Sequence, residues 1–152
     1  LKKMGAKLKV NKNSIKVIKG SKLKSTSIST SPYPGFPTDL QAQLMSLMCI
    51  SDGKSKIKET IFENRFMHVP ELNRLGANIT VEKDTATIIG NQTFKGAQVM
   101  ASDLRASISL VLAAMNANGQ TTLNRVYHLD RGYENIEKTL GSLGVNIKRK
   151  KN

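Results

Sequence analysis

The amino-acid sequence repeats itself, and this repetition limits the folds open to the chain more than any other feature. The pattern Leu-x-x-(Met or Leu)-Gly-(Ala or Val) begins at Leu1, Leu72 and Leu140, at intervals of 71 and 68 residues. Each copy has the composition of a helix end with a glycine cap, and residues that alternate as in a strand follow it. Such periodicity is typical of a fold in which one supersecondary unit is used several times.

Two more pairs of landmarks keep the same order within the repeat. Residues 39–42 (Asp-Leu-Gln-Ala) match residues 103–106 (Asp-Leu-Arg-Ala), and each set begins a long apolar segment. Residues 53–65 and 119–131 both run from a glycine through a strand and a loop to an arginine. The repeated unit is therefore predicted to be strand, helix, strand, helix, strand, strand, with boundaries near residues 30 and 96.

The two long helices predicted from this pattern are apolar on every side. A capping box of Thr38 and Gln41 is predicted to begin the first helix and Gly53 to end it, while the second covers residues 104–115. Helices without a polar face are buried. The fold class is therefore predicted to be mixed α/β (α+β), in an inside-out arrangement with helices at the centre and sheets as the outer wall.

The remaining elements follow from shorter patterns. Residues 69–75 and 133–143 show the one-sided apolar spacing of short helices. Residues 7–10 and 15–18 alternate lysine with apolar side chains, as half-buried strands do, and a turn at residues 11–13 joins them.

The formal net charge of +13 lies at the two ends of the chain. Residues 1–30 hold nine lysines and no acidic residue, and residues 148–151 are all basic, so residues 31–147 carry no net charge. Only 5% of the residues are aromatic and none lies between those lysines, which argues against a stacking platform for single-stranded nucleic acid. The lysines are interpreted as solvent-exposed faces of strands, with polyanion binding as an alternative.

The location of the protein is inferred from what its sequence lacks. The single cysteine, Cys49, cannot form an internal disulfide and lies in an apolar segment, so it is expected to be an inert core thiol. The first residues read as the end of a helix rather than as a signal peptide, and no apolar run approaches the ~20 residues of a membrane helix. The chain is therefore expected to be cytoplasmic and to be a fragment of a longer protein.

Charged residues recur at matched positions in the two units. Asp103 is interpreted first as a helix cap, whereas Asp39 follows a stiff proline-rich loop at residues 32–37 and is the better candidate for a site. Arg65 and Arg131 end the matched strand-loop segments. Two guanidinium groups that converge would bind a phosphate or a carboxylate, so an anionic ligand is predicted.

The histidines do not indicate a metal site. His68 and His128 have no metal-ligand spacing with each other or with a pair of carboxylates, so both are interpreted as packing or loop residues. No metal and no cofactor is predicted, since no phosphate-binding glycine loop is present.

Four stretches resemble a known family, namely PYPGFPTDLQAQ (residues 32–43), ENRFMHVPELNRLGA (63–77), GAQVMASDLRASISLVLAA (96–114) and YHLDRGYENIEKTLGSLGVNI (127–147). They are similar to the C-terminal part of the UDP-N-acetylglucosamine enolpyruvyl transferases (UDP-N-acetylglucosamine 1-carboxyvinyltransferases). The resemblance implies the enolpyruvyl-transferase inside-out barrel, built from repeated units around central helices. Residues 1–152 would be its C-terminal portion, and the N-terminal catalytic lobe would be absent from this sequence.

The resemblance also implies an activity. The enolpyruvyl group of phosphoenolpyruvate would pass to the 3-hydroxyl of UDP-N-acetylglucosamine with release of phosphate, in the first committed step of peptidoglycan synthesis. Asp39 stands at the family's base position, Arg131 matches the arginine that binds phosphoenolpyruvate, and Ile61 aligns with a position that contacts the sugar nucleotide through its backbone. Further residues of the cleft are matched by Arg65, Asp103 and Arg105.

The sequence lacks the other half of the family's proteins. The family's other half carries a general-acid cysteine and the remaining contacts to phosphoenolpyruvate, and Cys49 is not that cysteine. No turnover by this chain alone is expected, and its expected partner is the N-terminal lobe of the same enzyme. Two alternatives are a 5-enolpyruvylshikimate-3-phosphate synthase-like transferase, against which residues 64–70 argue, and a non-catalytic polyanion-binding remnant.

Overall fold

The computed structural model describes residues 1–18, 20 and 22–150. The strands in this part of the chain are β1 (Lys7–Asn11), β2 (Ser14–Ile18), β3 (Ser27–Ser29), β4 (Lys54–Lys58), β5 (Asn78–Glu82), β6 (Thr85–Ile89), β7 (Gln98–Met100) and β8 (Thr122–Asn124). Its α-helices are α1 (Gln41–Ile50), α2 (Val69–Arg74), α3 (Leu104–Ala114), α4 (Tyr127–Asp130) and α5 (Ile136–Ser142). None of the helices in the described residues has the length and apolarity needed to span a membrane.

The strand pairing reproduces the predicted repeat. Parallel pairs β3·β4 and β7·β8 flank the long helices α1 and α3, respectively. Antiparallel hairpins β1·β2 and β5·β6 occupy the equivalent place at the end of a unit. In the four-stranded sheet the order is β3-β4-β6-β5, so β4 is central and joins the parallel pair to the hairpin. The order strand, helix, strand, helix, strand, strand is therefore confirmed for the complete unit.

Glycines mark the repeat in the backbone itself. At the three helix ends recognised in the sequence, the glycines have positive φ angles, which are 89° for Gly5, 99° for Gly76 and 92° for Gly144. The second matched pair, Gly53 and Gly119, has φ of 97° and 92°. This left-handed region carries a steric cost for other residues, which explains why glycine recurs at each of these chain reversals.

The packing of α1 against α3 forms the centre of the molecule. Met45 and Met48 of α1 and Leu110 of α3 are at most 1% exposed and belong to one core cluster with the inner side of the four-stranded sheet. The hydroxyl of Ser46 donates to the carbonyl oxygen of Ser109 across the helix pair at 2.9 Å. Central helices with sheet outside them, as the mixed α/β prediction requires, are confirmed.

The prediction that α1 is buried on every side is wrong. Leu40, just before α1, is 50% exposed, and Leu44 and Leu47 are half-buried. These side chains line an open groove of ≈ 430 Å³ together with Met4 and Ile28. The reason is that α3 and the sheet cover only part of the helix surface, whereas the apolar residues surround it.

The interpretation of β1 and β2 as half-buried strands is also wrong for most of their apolar residues. The register pairs Leu8 with Val17 and Val10 with Ile15, so these four side chains share one face of the hairpin. Val10, Ile15 and Val17 are 60–69% exposed. The hairpin is only two strands wide, and no other element of the described chain covers this face.

Two helix boundaries differ from the sequence predictions. Thr38 does not form a capping box, because it begins a 3-10 turn, Thr38–Leu40, ahead of α1, and its hydroxyl donates to Glu59 Oε2 at 2.9 Å. Helix α1 ends at Ile50, three residues before Gly53. The single helix predicted over residues 133–143 is shorter, since α5 covers only Ile136–Ser142, and α4 precedes it without having been predicted.

We predict that Leu110→Ala lowers the free energy of unfolding by about 2–5 kcal/mol, because it leaves a cavity between α1 and α3. The matched control is Leu143→Ala, since Leu143 is 76% exposed and its truncation should change the free energy by less than about 0.5 kcal/mol. Urea unfolding of both variants measures the difference. Equal effects of the two substitutions would contradict the central place of the helix pair.

Candidate active site

The loop between β3 and α1 presents Asp39 at the surface. Within this loop the N–H of Ser31 donates to the carbonyl of Phe36 at 2.9 Å, and the N–H of Gly35 donates to the carbonyl of Pro32 at 2.7 Å. The 3-10 turn then begins after Pro37. These bonds agree with the stiff loop predicted from the prolines, and they leave the Asp39 side chain 60% exposed.

Two arginines from distant parts of the chain meet at the Asp39 carboxylate. Arg65 Nη2 lies 3.1 Å from Asp39 Oδ1, and Arg105 Nε donates to the same oxygen. The hydrogen bond from Arg105 lowers the pKa of Asp39 below its ordinary value, partial burial opposes this, and the positive charges of Arg105 and Arg65 lower it further. Asp39 is therefore a carboxylate at neutral pH, in the form that accepts a proton.

The N-terminus of α3 fixes Arg105. Asp103 is the N-cap of this helix, and its Oδ1 accepts hydrogen bonds from the N–H groups of Arg105 at 2.8 Å and Ala106 at 3.0 Å. The cap role predicted for Asp103 is thus confirmed, and it orients the first turn of the helix. The Arg105 side chain leaves this turn toward Asp39, 66 residues earlier in the chain.

Arg65 belongs to the loop between β4 and α2. Its guanidinium lies over the Phe62 ring, 4.7 Å from the ring centroid, while it pairs with Asp39. Stacking on the ring limits the positions that the side chain can take. The loop also borders a cleft of ≈ 700 Å³ that Asp39, Arg65 and Arg105 do not line. The charged cluster lies at the surface, because the side chains of Asp39 and Arg105 are 60% and 38% exposed.

The structure places Arg131 at the C-terminal end of α4 and not in a loop after a strand. The next residue, Gly132, lies against Leu104, because a Cβ added there would come within 2.8 Å of a Leu104 methyl carbon. Arg131 is therefore beside the first turn of α3. In residues 1–18, 20 and 22–150 no hydrogen bond or ion pair of Arg131 is found, so Arg131 does not share the Asp39 carboxylate with Arg65, and the convergence of the two arginines on an anion stays a prediction.

A buried carboxylate that the sequence analysis missed connects the parts of this cluster. Glu59 is 4% exposed, and its Oε1 accepts from the N–H of Ile61 at 3.0 Å, while its Oε2 accepts from the Thr38 hydroxyl. Ile61 itself is 38% exposed. The only sequence signal for Glu59 was an acidic residue directly after a strand, which is also typical of a solvent-exposed turn.

His68 and Cys49 behave as the sequence predicted. His68 is 3% exposed, and burial lowers its pKa to about 4, with the charge of Asp103 raising it and that of Arg65 lowering it. Cys49 is fully buried, and burial raises the pKa of its thiol to about 12. Both side chains are neutral packing residues. His128 is half-buried beside the Tyr127 ring.

The family model described as EPSP synthase (3-phosphoshikimate 1-carboxyvinyltransferase) matches residues 1–140. The chain belongs to the EPSP synthase family. Among curated relatives, the UDP-N-acetylglucosamine 1-carboxyvinyltransferases of Pelagibacter ubique and Azorhizobium caulinodans are 58% and 57% identical, each over 98% of this chain. These relatives confirm the resemblance seen in the sequence. The chain spans only 36% and 35% of their lengths.

Solved structures confirm the fold of this EPSP synthase family chain. The enolpyruvyl transferase NikO from Streptomyces tendae is 31% identical and superposes with a TM-score of 0.90 over 97% of this chain and 34% of that chain. The EPSP synthase of Acinetobacter baumannii is 19% identical with a TM-score of 0.69, over 99% of this chain and 36% of that chain. At that identity the second match shows the fold alone.

We predict that Arg105→Gln raises the pKa of Asp39 toward its ordinary value more than Arg65→Gln does, because the hydrogen bond from Arg105 is the largest cause of the lowered value. A pH titration of the Asp39 side-chain carboxyl by carbon-13 NMR measures both. Arg149→Gln is the control, since Arg149 pairs with Asp130 and Glu137 and should leave Asp39 unchanged. An unchanged Asp39 midpoint in Arg105→Gln would refute the pairing.

His68 should make the fold sensitive to mild acid. The unfolded chain binds a proton at His68 near pH 6.5, whereas the folded chain does so only near pH 4, so stability falls as the pH drops through this window. The loss at pH 4 is roughly 3 kcal/mol. Urea unfolding at pH 7 and pH 4.5 should show this loss in the parent chain and in His128→Gln, but not in His68→Gln. The same pH dependence in all three would contradict it.

Proposed function

We propose that the enzyme to which this chain belongs transfers the enolpyruvyl group of phosphoenolpyruvate to the 3-hydroxyl of UDP-N-acetylglucosamine and releases phosphate. The observation that carries the proposal is the ionised, solvent-accessible Asp39 carboxylate between two guanidinium groups. The names of relatives that are 58% identical over 98% of the chain support the choice of substrates. The reaction would be the first committed step of peptidoglycan synthesis and would take place in the cytoplasm.

The proposed role of Asp39 is that of the general base. An alcohol is a weak nucleophile at neutral pH, so a base has to take its proton as the oxygen attacks C2 of phosphoenolpyruvate. A proton must also reach C3, which gives a tetrahedral ketal, and the ketal then loses phosphate from C2 and a proton from C3, which restores the double bond of the enolpyruvyl group. Neither arginine of the cluster can act as the base in place of Asp39, because both are guanidinium groups that stay protonated.

The two guanidinium groups also make Asp39 a weak base while no substrate is bound. Both proposed substrates are anions, and their phosphate and carboxylate groups would compete with Asp39 for Arg105 and Arg65. Each guanidinium drawn away from Asp39 raises the basicity of its carboxylate. Substrate binding and activation of the base are thus coupled through the same side chains.

The remaining residues receive roles that fit their positions. Arg131, with no ion pair in the described residues and beside the first turn of α3, is proposed to bind phosphoenolpyruvate. Ile61 is proposed to contact the sugar nucleotide through its carbonyl oxygen, because Glu59 already accepts from its N–H. The proposed supporting residues of the cleft are Arg65, Asp103 and Arg105.

We further propose that this chain does not turn over alone. It spans about a third of the length of its curated relatives, and its charged cluster lies on an open surface that cannot exclude water. Cys49 cannot supply the proton to C3, because it is buried in the core. The N-terminal lobe of the same enzyme, as the proposed partner, would cover the cluster and supply the general acid.

Two other functions are kept as alternatives. The matching family model is described as a 3-phosphoshikimate 1-carboxyvinyltransferase, so an acceptor of the shikimate 3-phosphate type has a specific observation in its favour. A polyanion-binding remnant is suggested by the net charge of +13. The second alternative predicts binding that weakens steeply with salt and is indifferent to Asp39.

The decisive experiment measures phosphate release from phosphoenolpyruvate and UDP-N-acetylglucosamine. It compares this chain alone with a mixture that contains the part of the Pelagibacter ubique relative that the chain does not match. We predict release only in the mixture, and a rate at least about 100-fold lower with Asp39→Asn, the range of general-base catalysis. Shikimate 3-phosphate replaces the acceptor in a parallel assay.

The matched control is Asp52→Asn, which removes an exposed carboxylate that accepts from Asn91 Nδ2 at 2.6 Å before the other end of β4 and should leave the rate unchanged. Release of phosphate by the chain alone would contradict the proposal that the chain needs the N-terminal lobe for turnover. Release with shikimate 3-phosphate but not with the sugar nucleotide would replace the proposed acceptor.

A further inference from the structure

Glu59 is a buried carboxylate without a cationic partner among the residues that the structure describes. A buried charge is unfavourable unless hydrogen bonds replace its lost water. Four donors do so here. Glu59 Oε1 accepts from the Thr30 hydroxyl at 2.8 Å and from the N–H groups of Ile61 at 3.0 Å and Phe62 at 3.3 Å, and Oε2 accepts from the Thr38 hydroxyl at 2.9 Å.

These donors belong to three separate segments of the site. Thr30 directly follows β3, Thr38 begins the turn that carries Asp39, and Ile61 lies in the loop that continues from β4 to Arg65. Thr30 and Thr60 strengthen the junction, since the N–H of Thr60 donates to the Thr30 hydroxyl and the Thr60 hydroxyl donates to the Thr30 carbonyl. One carboxyl group therefore joins the base, the sugar-nucleotide position and the loop of the second arginine.

The bond to Thr38 is the informative one. The Asp39 turn has no side-chain cap, because Pro37 precedes it and the Thr38 hydroxyl turns away toward Glu59. A purely structural Glu59 would be satisfied by β3 and its own loop. The additional bond to Thr38 adds nothing to the sheet, and it sets the position of the residue directly before Asp39.

We propose that Glu59 is a positioning residue, which holds the Asp39 turn and the Ile61 to Arg65 loop in a fixed relation across the site. Its meaning for catalysis rests on the proposed function. Its geometric content does not, because the pairing of Asp39 with Arg65 is a contact within the chain itself. The proposed function and the positioning role of Glu59 can therefore be refuted independently of each other.

The test uses two substitutions of Thr38. Thr38→Val keeps the shape of the side chain and removes the donor to Glu59, whereas Thr38→Ser keeps the hydroxyl. The readout is the titration midpoint of the Asp39 carboxyl by carbon-13 NMR in the whole chain. Thr38→Val is expected to raise this midpoint toward the ordinary value, as the turn loosens from Arg105, and Thr38→Ser to keep the parent midpoint.

A chemically matched control lies on β6. The Thr85 hydroxyl donates to the Asp84 carboxylate on the surface at 2.8 Å, so Thr85→Val removes the same kind of bond and leaves the backbone bond from the Glu59 N–H to the Asp84 carbonyl in place. The parent Asp39 midpoint is expected there. An Asp39 midpoint in Thr38→Val equal to that of Thr38→Ser would overturn the proposal, because the bond to Glu59 would then not govern the position of Asp39.

Thr38→Ala is the second variant and decides the matter if Thr38→Val does not fold. It removes the hydroxyl that donates to Glu59 and leaves the donors from Thr30, Ile61 and Phe62 in place. The same rise of the Asp39 midpoint is expected, with at most a small change in the amide signals of β3 and β4. An unchanged Asp39 midpoint overturns the proposal here as well.

Turnover in the mixture with the unmatched part of the Pelagibacter ubique relative gives the catalytic readout. Thr38→Val is expected to lower kcat about tenfold with little change in KM, since a displaced base acts in the transition state, and Thr38→Ser to restore kcat. A rise in KM with unchanged kcat would overturn the positioning role. Without turnover of the parent mixture the proposed function fails, whereas the NMR result still decides the geometry.

Discussion

The contact between α1 and α3 is the interaction on which the rest of the structure depends. The two helices are equivalent elements of successive repeats, and they lie side by side with their beginnings at the same end of the molecule, as the pairing of Asp39 with Arg105 shows. The hydroxyl of Ser46 on α1 donates to the carbonyl oxygen of Ser109 on α3 directly across this contact. Repetition in the sequence thus becomes proximity in space, and residues 66 positions apart form one charged cluster.

The site contains two carboxylates with opposite surroundings. Asp39 is exposed and surrounded by positive charge, so it can exchange partners with solvent and with anionic ligands. Glu59 is enclosed by neutral donors and has no freedom to exchange them. Environment rather than residue type thus distinguishes the proposed base from the proposed positioning residue, as in many enzymes that use acidic pairs.

The sequence allowed the repeat, the fold class, most of the elements and the cap role of Asp103 to be predicted, because each depends on neighbours in the chain. The glycine at each helix end is one example, since the requirement for positive φ is local. The site was predictable only in part. Thr38 reads locally as a cap, but the competing acceptor, Glu59, is 21 residues away, and nothing near either residue indicates that contact.

The errors about exposure have a related physical origin. The spacing of apolar residues shows which side chains favour burial, but it does not show whether another element packs on them. For this reason α1 and the β1·β2 hairpin were predicted to be more buried than they are. The position of Arg131 was misjudged because the short helix α4 has too few residues for a periodic signal. Long-range packing decides such cases.

The hairpin of β1 and β2 has one further consequence, which concerns the behaviour of the chain in solution. One face presents Val10, Ile15 and Val17 to water, and the opposite face carries Lys7, Lys9 and Lys16. Mutual repulsion between the lysine faces keeps molecules apart at low ionic strength, where the Debye length is about 30 Å at 0.01 M. Added salt shortens that range and leaves the apolar faces free to associate, so we expect this chain to self-associate more readily as salt is raised, despite its charge of +13.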